Sequence, residues 1–401
     1  MTGLPASRIT RIENILKRRG PAGLNDDDWF LANTSGMFAS EIIRRGLAPL
    51  PPTEMVGSGG ADTSLRMYAY SGAGHYQSIQ RRLSELGYGR GHLNDILEFG
   101  CGNGRLARMF LREKGSYTGV DLVKPGLVWL RKNLRFGRYQ LGTELPPLKQ
   151  RAERFDAVIS VSVLTHLTEM AQSAWLTEFA RLLKPGGLLV QTVSGRHSMA
   201  LCKRHENWRA ALSVPEGAFE PLAAGFDEKG FAWAPHAGTA GMISKHYGIS
   251  FQNEQFIQDN WCKDFELLGI WAGAIDNWQD LVILRRRDSK LNERRAVPIL
   301  PVYAAANAPP VEAVELKLEP AIPTLGEPFR MEAVAQGHDV HFRYVINEIE
   351  GYYNYISEWS RSPSLNFTCW VPGRYNIIVH AASGPGSHSD PSIGAGVIVT
   401  V

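Results

Sequence analysis

ILEFGCGNGRLAR, residues 96–108, is the stretch on which the reading of this chain turns. A short apolar run ends in Glu98 and Phe99 and meets three glycines, Gly100, Gly102 and Gly104. An apolar run of this length, bounded by glycine, is a buried strand, and the residues after the glycines open a helix. Gly100 and Gly102 let the backbone approach a ligand closely, and Gly104 lets the helix start tight against the strand. Such a turn holds an anionic or nucleotide-like ligand.

Which ligand depends on the neighbours. A dinucleotide fingerprint needs GxGxxG, but its third glycine is replaced here by Arg105. The Gly-Lys-Ser/Thr of a nucleoside triphosphate loop is absent. Glu98, at the strand end, suits a positively charged amine rather than a pyrophosphate. The next strand ends YTGVDL and places Asp121 where a carboxylate can accept both hydroxyls of a ribose.

Outward from the turn, apolar strand-like runs alternate with amphipathic segments from about residue 90 to residue 287. The runs are DILEFG, SYTGVD, RYQLG, FDAVISVSV, GGLLVQTV, DFELLGIWAG and QDLVILRR. AWLTEFARLLK ends on Pro185-Gly186-Gly187, a helix stop. This alternation predicts an α/β domain with a doubly wound, mainly parallel seven-stranded sheet over residues 91–287. Residues 205–250 read as a cap inserted between the fifth and sixth strands. Residues 1–90 read as a helical, lid-forming region, and 288–311 as a charged, then Pro/Ala-rich linker. Residues 312–401, with short β-branched and aromatic runs between Gly, Pro and Ser, predict an all-β sandwich.

The remaining composition narrows the classes. A chain of 401 residues exceeds one comfortable core. A net charge of +3 is too weak to argue for nucleic acid. No run long enough to span a membrane and no apolar secretory block is present. The four cysteines, Cys101, Cys202, Cys262 and Cys369, are scattered and fit a reducing compartment, so a cytoplasmic location is expected. Near the N-terminus, Ile9, Ile12, Ile15 and Leu16 recur at helical spacing beside Arg8, Arg11, Lys17, Arg18 and Arg19. Docking of that helix on the main domain is the expected role, and contact with an anionic membrane surface is the competing one.

With the turn and the two acids in place, the sequence resembles class I S-adenosylmethionine-dependent methyltransferases over roughly residues 50–287. FDAVISVSVLTHL is similar to the family's fourth strand and following loop, and LLKPGGLLVQTV to its helix end, turn and fifth strand. FELLGIW and WQDLVILRR, with Gln279-Asp280, resemble the last two strands of enzymes from bacterial glycan and natural-product clusters, where LPPL (residues 145–148) also recurs. The resemblance implies S-adenosylmethionine as cofactor. Gly100, Cys101 and Gly102 would line its methionine part, Glu98 would hold its amino group, and Asp121 its ribose. Leu122 would pack on the adenine, Thr143 would lie near it, and Val161 and Ser162 would close the site. Where the family carries Asn-Asp after the third strand, this chain has Gly142-Thr143. Where it shows Thr-Thr-His-Gly after the fifth, this chain has Thr192-Val193-Ser194-Gly195.

Transfer to a hydroxyl requires a base, and His166, in the loop after the fourth strand, is the candidate. His197, His236 and His246 are alternates, and a structural role for His166 is the competing reading. Trp208, Phe231, Trp233 and Tyr247 of the cap either stack on an acceptor or form the cap's own core. Tyr68, Tyr70 and Tyr76 are lid or packing residues. The segment SVLTHL stands where DNA methylases carry their Pro-Pro or Pro-Cys motifs, so nucleic acid is not the expected acceptor. The expected reaction is methylation of a sugar, glycan or small-molecule hydroxyl. The alternative is a non-catalytic binding or scaffold protein whose sandwich recognises a glycan or protein.

The C-terminal region is faintly similar to the triple-tyrosine type of bacterial β-sandwich, through FRYVINEIEGYYNYISEWS and WVPGRYNIIV. Tyr344, Tyr352, Tyr353, Tyr355 and Trp359 are candidates for a carbohydrate-stacking face or for core positions, with Trp370 and Tyr375 expected in the core.

Overall fold

The computed structural model describes residues 6–56, 65–237, 246–276, 278–288, 311–337, 339–348, 354–357, 360–369, 373–383 and 393–401. Tyr352, Tyr353, Trp359, Trp370 and nearly all of the expected linker lie outside the described residues. The chain divides into two compact units. One comprises Ile79–Gly102 and Lys114–Leu300, the other Met1–Ser78, Asn103–Glu113 and Pro301–Val401.

The first unit is built on β1 (Asp95–Phe99), β2 (Ser116–Asp121), β3 (Gly137–Leu141), β4 (Phe155–Ser160) and β5 (Leu183–Val193). After them come β6 (Phe231–Pro235), β7 (Gly248–Gln252), β8 (Phe265–Ile275) and β9 (Gln279–Arg286). Seven of these form one sheet in the order β3-β2-β1-β4-β5-β9-β8. Every pair is parallel except those of β9, which runs against β5 and β8. β4 and the second half of β5 are buried at nearly every position, polar Ser160, Gln191 and Thr192 included, because both faces of the sheet are covered. Leu97, Phe99, Val158, Leu189, Val193 and Val282 of the strands pack with Trp175, Phe179, Ile257 and Trp261 into the main core. The strand order reverses between β1 and β4, and the crevice outside their carboxyl ends is where such sheets bind ligands.

Two local expectations are corrected. The helix Glu169–Leu182, capped by Thr168, ends before Pro185-Gly186-Gly187, and those three residues are a bulge within β5. The β4–β5 register jumps there, from Phe155↔Leu183 to Ala157↔Leu188. Gly186, at φ 77°, takes the backbone through a conformation that other residues resist. The segment after the glycine turn, Ala107–Arg112, is a 3₁₀ helix rather than an α-helix.

The insertion after β5 has its own core. Met199, Cys202, Leu212, Leu222 and Phe226 pack with Ala232 of β6 and Phe251 of the antiparallel β7. Trp208 stacks on Trp278 at 5.0 Å, and Phe231 lies 4.9 Å from Phe256. These cap aromatics are therefore spent on packing.

In the other unit, the helix Ala6–Arg19 buries Ile12 and Leu16. Arg8 and Arg11 pair with the fully buried Asp28. Ile9 and Ile15 are half-buried, so the apolar stripe faces the neighbouring helices of its own unit. Tyr68, Tyr70 and Tyr76 of the helix Leu65–Glu85 are buried. Arg108, from the opening stretch, is wholly buried and donates to the carbonyls of Ala48 and Pro49. Arg112 donates to Leu24, Asn25 and Asp26, so both arginines fasten the segment after the turn.

The C-terminal strands are β10 (Ala313–Glu319), β11 (Pro328–Gln336), β12 (Val340–Glu348), β13 (Asn354–Ile356), β14 (Ser364–Thr368), β15 (Arg374–Ser383) and β16 (Ile393–Thr400). They form two antiparallel sheets, β10-β11-β14 and β13-β12-β15-β16, with Phe329, Met331, Tyr344, Ile346, Tyr375 and Ile377 in the shared core. Tyr344 donates its hydroxyl to the Pro363 carbonyl at 2.6 Å, which makes it a core residue and not part of a stacking face. No helix among the described residues is long and apolar enough to cross a membrane.

Candidate cofactor and methyl-transfer site

The glycine turn closes onto β2. The amides of Gly100 and Cys101 both donate to the Val120 carbonyl, at 2.8 and 3.1 Å. Gly100 has φ 82°, and a Cβ there would lie 2.2 Å from the Val163 side chain, so the position admits only glycine. Gly102 differs. Its φ is 52°, yet a Cβ there would meet nothing within 4 Å. The turn therefore presents bare backbone to open space.

Asp121, at the end of β2, is held by backbone on both oxygens. Gly102 N–H donates to Oδ2 at 2.7 Å and Val123 N–H to Oδ1 at 2.8 Å. Each carboxylate oxygen keeps a second lone pair for a ligand hydroxyl. Beside it, Leu122 and Leu141 are 41% and 57% exposed, apolar side chains left in water at the carboxyl ends of β2 and β3. Leu141 was not singled out by sequence reading. Its signal was an apolar residue ending a strand next to the acid-bearing one. Thr143 is exposed and donates to the Leu145 carbonyl at 2.7 Å, which bends the loop after β3.

Glu98 is 4% exposed, and the Tyr117 phenol of β2 donates to its carboxylate. Burial, and then the Glu98 charge, hold that phenol far above its ordinary titration range. Cys101 is buried, and burial followed by the charges of Glu98 and Asp121 push its thiol well up, so it is no nucleophile.

After β4, Val161 is half-buried and Ser162 has φ 59°, a left-handed conformation uncommon outside glycine. The structure over-determines it. Ser162 N–H donates to Thr192 Oγ1 at 2.8 Å, and Gln279 Nε2 donates to Ser162 Oγ at 2.9 Å. Gln279 thus ties the hairpin strand β9 to the end of β4. Asp280 beside it accepts from Gly273 N–H at 2.7 Å, and its Oδ2 leaves no space for a Cβ at Gly195.

His166 sits in the 3₁₀ turn Leu164–His166 and meets the cap. Its Nδ1 lies 2.7 Å from the Gly248 carbonyl and 3.3 Å from His236 Nε2. The ring stacks on Tyr247 at 4.6 Å, and Trp233 Nε1 donates to the His166 carbonyl at 3.2 Å. Burial, chiefly, and the neighbouring His236 lower the imidazole to about 4, against the opposing effect of the Gly248 bond. The Tyr247 phenol is raised by burial and then by the Asp121 charge, so Tyr247 is the member of this cluster that feels the β2 acid. Of the alternates, His236 joins this cluster. His246 reaches Thr168, its Nδ1 3.4 Å from Oγ1. His197 lies on the first turn of the helix Arg196–Arg204.

Residues 96–187 match the family model described as a methyltransferase domain. A ubiquinone biosynthesis O-methyltransferase of a Bradyrhizobium species is 30% identical over 104 residues, 25% of this chain and 40% of that protein. A tRNA (carboxymethyluridine(34)-5-O)-methyltransferase of Arabidopsis thaliana is 35% identical over 99 residues, 24% of this chain and 23% of that protein. The crystal structure of the PH0226 protein of Pyrococcus horikoshii aligns at 14% identity and a TM-score of 0.39, over 53% of this chain and 90% of that one. The chain spans less than half the length of either relative. The matched residues carry β1 to β4 and the start of β5, and the strand order of the sheet is that of class I S-adenosylmethionine-dependent methyltransferases. The sandwich strands lie outside the matched residues.

Proposed function

We propose that this protein is an S-adenosylmethionine-dependent O-methyltransferase acting on a hydroxyl of a sugar or other small molecule. The observation that carries the reading is Asp121, fixed by two backbone amides beside exposed Leu122 and Leu141 and near enough for its charge to raise the Tyr247 phenol, on which His166 stacks. A carboxylate with two free lone pairs beside open apolar surface suits a nucleoside, and the bare backbone at Gly102 suits close approach of its substituent. These residues fit the cofactor. It would supply a methyl group already activated on a sulfonium.

The chain's own part is to orient, exclude water and take a proton. Asp121 would hold the ribose hydroxyls, and Glu98 the amino group. Alignment of an acceptor oxygen with the reacting methyl is worth several kcal/mol in such reactions, roughly 7–11 kcal/mol at best. His166 would take the acceptor's proton at Nε2, because Nδ1 is committed to the Gly248 carbonyl. The O-methyltransferase names of the relatives support oxygen as the accepting atom.

The test is calorimetric titration with S-adenosylhomocysteine, followed by methyl-transfer assays on panels of sugars, phenolic small molecules and tRNA. Transfer to a small-molecule hydroxyl supports the reading. Transfer confined to tRNA overturns the acceptor, and cofactor binding without transfer to any of them favours the scaffold alternative.

A further inference from the structure

At the opposite end of the sheet, where β1 to β3 begin, lies a cavity of about 430 Å³ lined by Asp95, Ser116, Arg138, Arg151 and Arg154. That volume falls within the range of small-molecule sites, roughly 300–1,000 Å³. Its charge is unbalanced: three guanidinium groups face one carboxylate. Asp95 is already occupied, since Ser116 Oγ donates to it at 2.5 Å and Lys184 pairs with it at 3.2 Å. Lys184 is in turn held by Asp156 at 2.7 Å, so that ion pair adds no spare negative charge.

Arg154 is preset. It donates to Gln150, which Gln140 orients through a 2.5 Å bond, and to Thr118 Oγ1 at 3.4 Å. Its guanidinium lies 4.7 Å from the Phe155 ring. Arg138 and Arg151 are exposed, and neither side chain makes a hydrogen bond or ion pair with the described residues. Both act on Arg154 as like charges and lower its affinity for a proton, after the larger effect of burial. A solvated arginine face would spread such charges out. Here they converge on one concavity, with one guanidinium oriented and two at liberty.

We propose that this cavity is a binding site for a diphosphate group, free or carried on a nucleotide, separate from the methyl-transfer site. Guanidinium forks match phosphate oxygens in pairs, and three of them suit a ligand with two adjacent anionic centres. The inference does not rest on the activity proposed above.

The experiment is calorimetric titration of the full chain with inorganic pyrophosphate and, separately, with UDP, with sulfate at matched ionic strength as control. UDP carries a ribose that Asp121 can also hold, so UDP binding that persists in the double variant below is assigned to the methyl-transfer site. Saturable binding of either ligand, weakened at least tenfold in the double variant Arg138→Ala/Arg151→Ala, supports the site. Whichever ligand binds tighter identifies the source of the diphosphate. Both substituted side chains are exposed, and unchanged S-adenosylhomocysteine binding or an unchanged melting temperature shows that the variant is folded. Equal binding in wild type and variant, an equal response to sulfate, or no saturable binding by either ligand overturns the proposal. So does an RNA oligonucleotide that binds through these arginines while pyrophosphate and UDP do not.

Discussion

His166 Nδ1 lies 2.7 Å from the carbonyl oxygen of Gly248, the residue that opens β7 of the cap. A carbonyl can only accept, so the proton is assigned to Nδ1 and the lone pair to Nε2. One contact therefore joins the loop after β4 to the inserted cap and selects the tautomer that a base needs. The same burial that makes the contact keeps the ring neutral.

Replacing His166 by Ala should lower methyl transfer by about 10²–10⁴-fold, the usual worth of a general base. S-adenosylhomocysteine affinity should hardly change. Single-turnover kinetics alongside calorimetry separate the two, and wild-type turnover would leave His166 a structural role.

The pH profile carries a distinct signature. With an imidazole at about 4, the rate should stay level from pH 8 to about 5.5 and fall only toward 4. A histidine of ordinary basicity would inflect near 6.5. An inflection near 6.5 that disappears in His166→Gln would mean that the ring is less buried in solution.

Stability should follow the same group. Between about 6.5 and 4 the unfolded chain binds a proton at His166 that the folded chain refuses, so stability falls as pH drops through that window and is unaffected above it. The limit is on the order of 3 kcal/mol. His380 in the sandwich is lowered to about 4 by burial and then by Arg343, and it adds loss of the same sign. Urea denaturation at pH 7.5 and 5 should show a smaller pH difference in His166→Gln and in His380→Gln than in wild type.

Asp121→Ala should weaken S-adenosylhomocysteine by one or more kcal/mol, the order expected for charge-assisted hydrogen bonds, on the order of 1.5–3 kcal/mol. Affinity equal to wild type would show that the acid serves only to brace Gly102 and Val123.

Two glycines of one turn should behave differently. Gly100→Ala sets a Cβ 2.2 Å from Val163 at positive φ and should cost stability, about 1–3 kcal/mol from the backbone conformation alone. Adding Val163→Ala should restore part of it by removing the clash. Gly102→Ala meets no protein atom within 4 Å, so it should retain more stability than Gly100→Ala yet lose ligand affinity. Melting temperatures and calorimetry on the three variants decide this.

Much of the sheet was legible because its signals are local. The apolar run into Gly100, the acid at the end of the next run and the alternation of strands with helices follow from neighbours in the chain. The bulge at Pro185–Gly187 was not, since Pro-Gly-Gly reads equally as a helix stop and as an interruption within a strand, and only the β4 partner chooses. The 3₁₀ segment after the turn was missed for a similar reason. Arg108 and Arg112 are held by carbonyls some 60 to 90 residues away in sequence, and those bonds shape the segment more than its own propensity does.

What the sequence determined by itself is the ligand-facing frame: Glu98, the glycine turn and Asp121, whose spacing is set by one strand, one turn and the next strand. Tertiary structure alone decided the chemistry around that frame. His166, His236 and Tyr247 come together across 70 to 81 positions, and burial at their meeting place, not residue type, sets the basicity of the imidazole. Arg138, Arg151 and Arg154 likewise become one positive cavity only when β3 and the approach to β4 are laid on the same side of the sheet. Local periodicity specifies which atoms a strand presents. The free energy of a charge or a proton depends on every group that folding brings within a few ångströms of it.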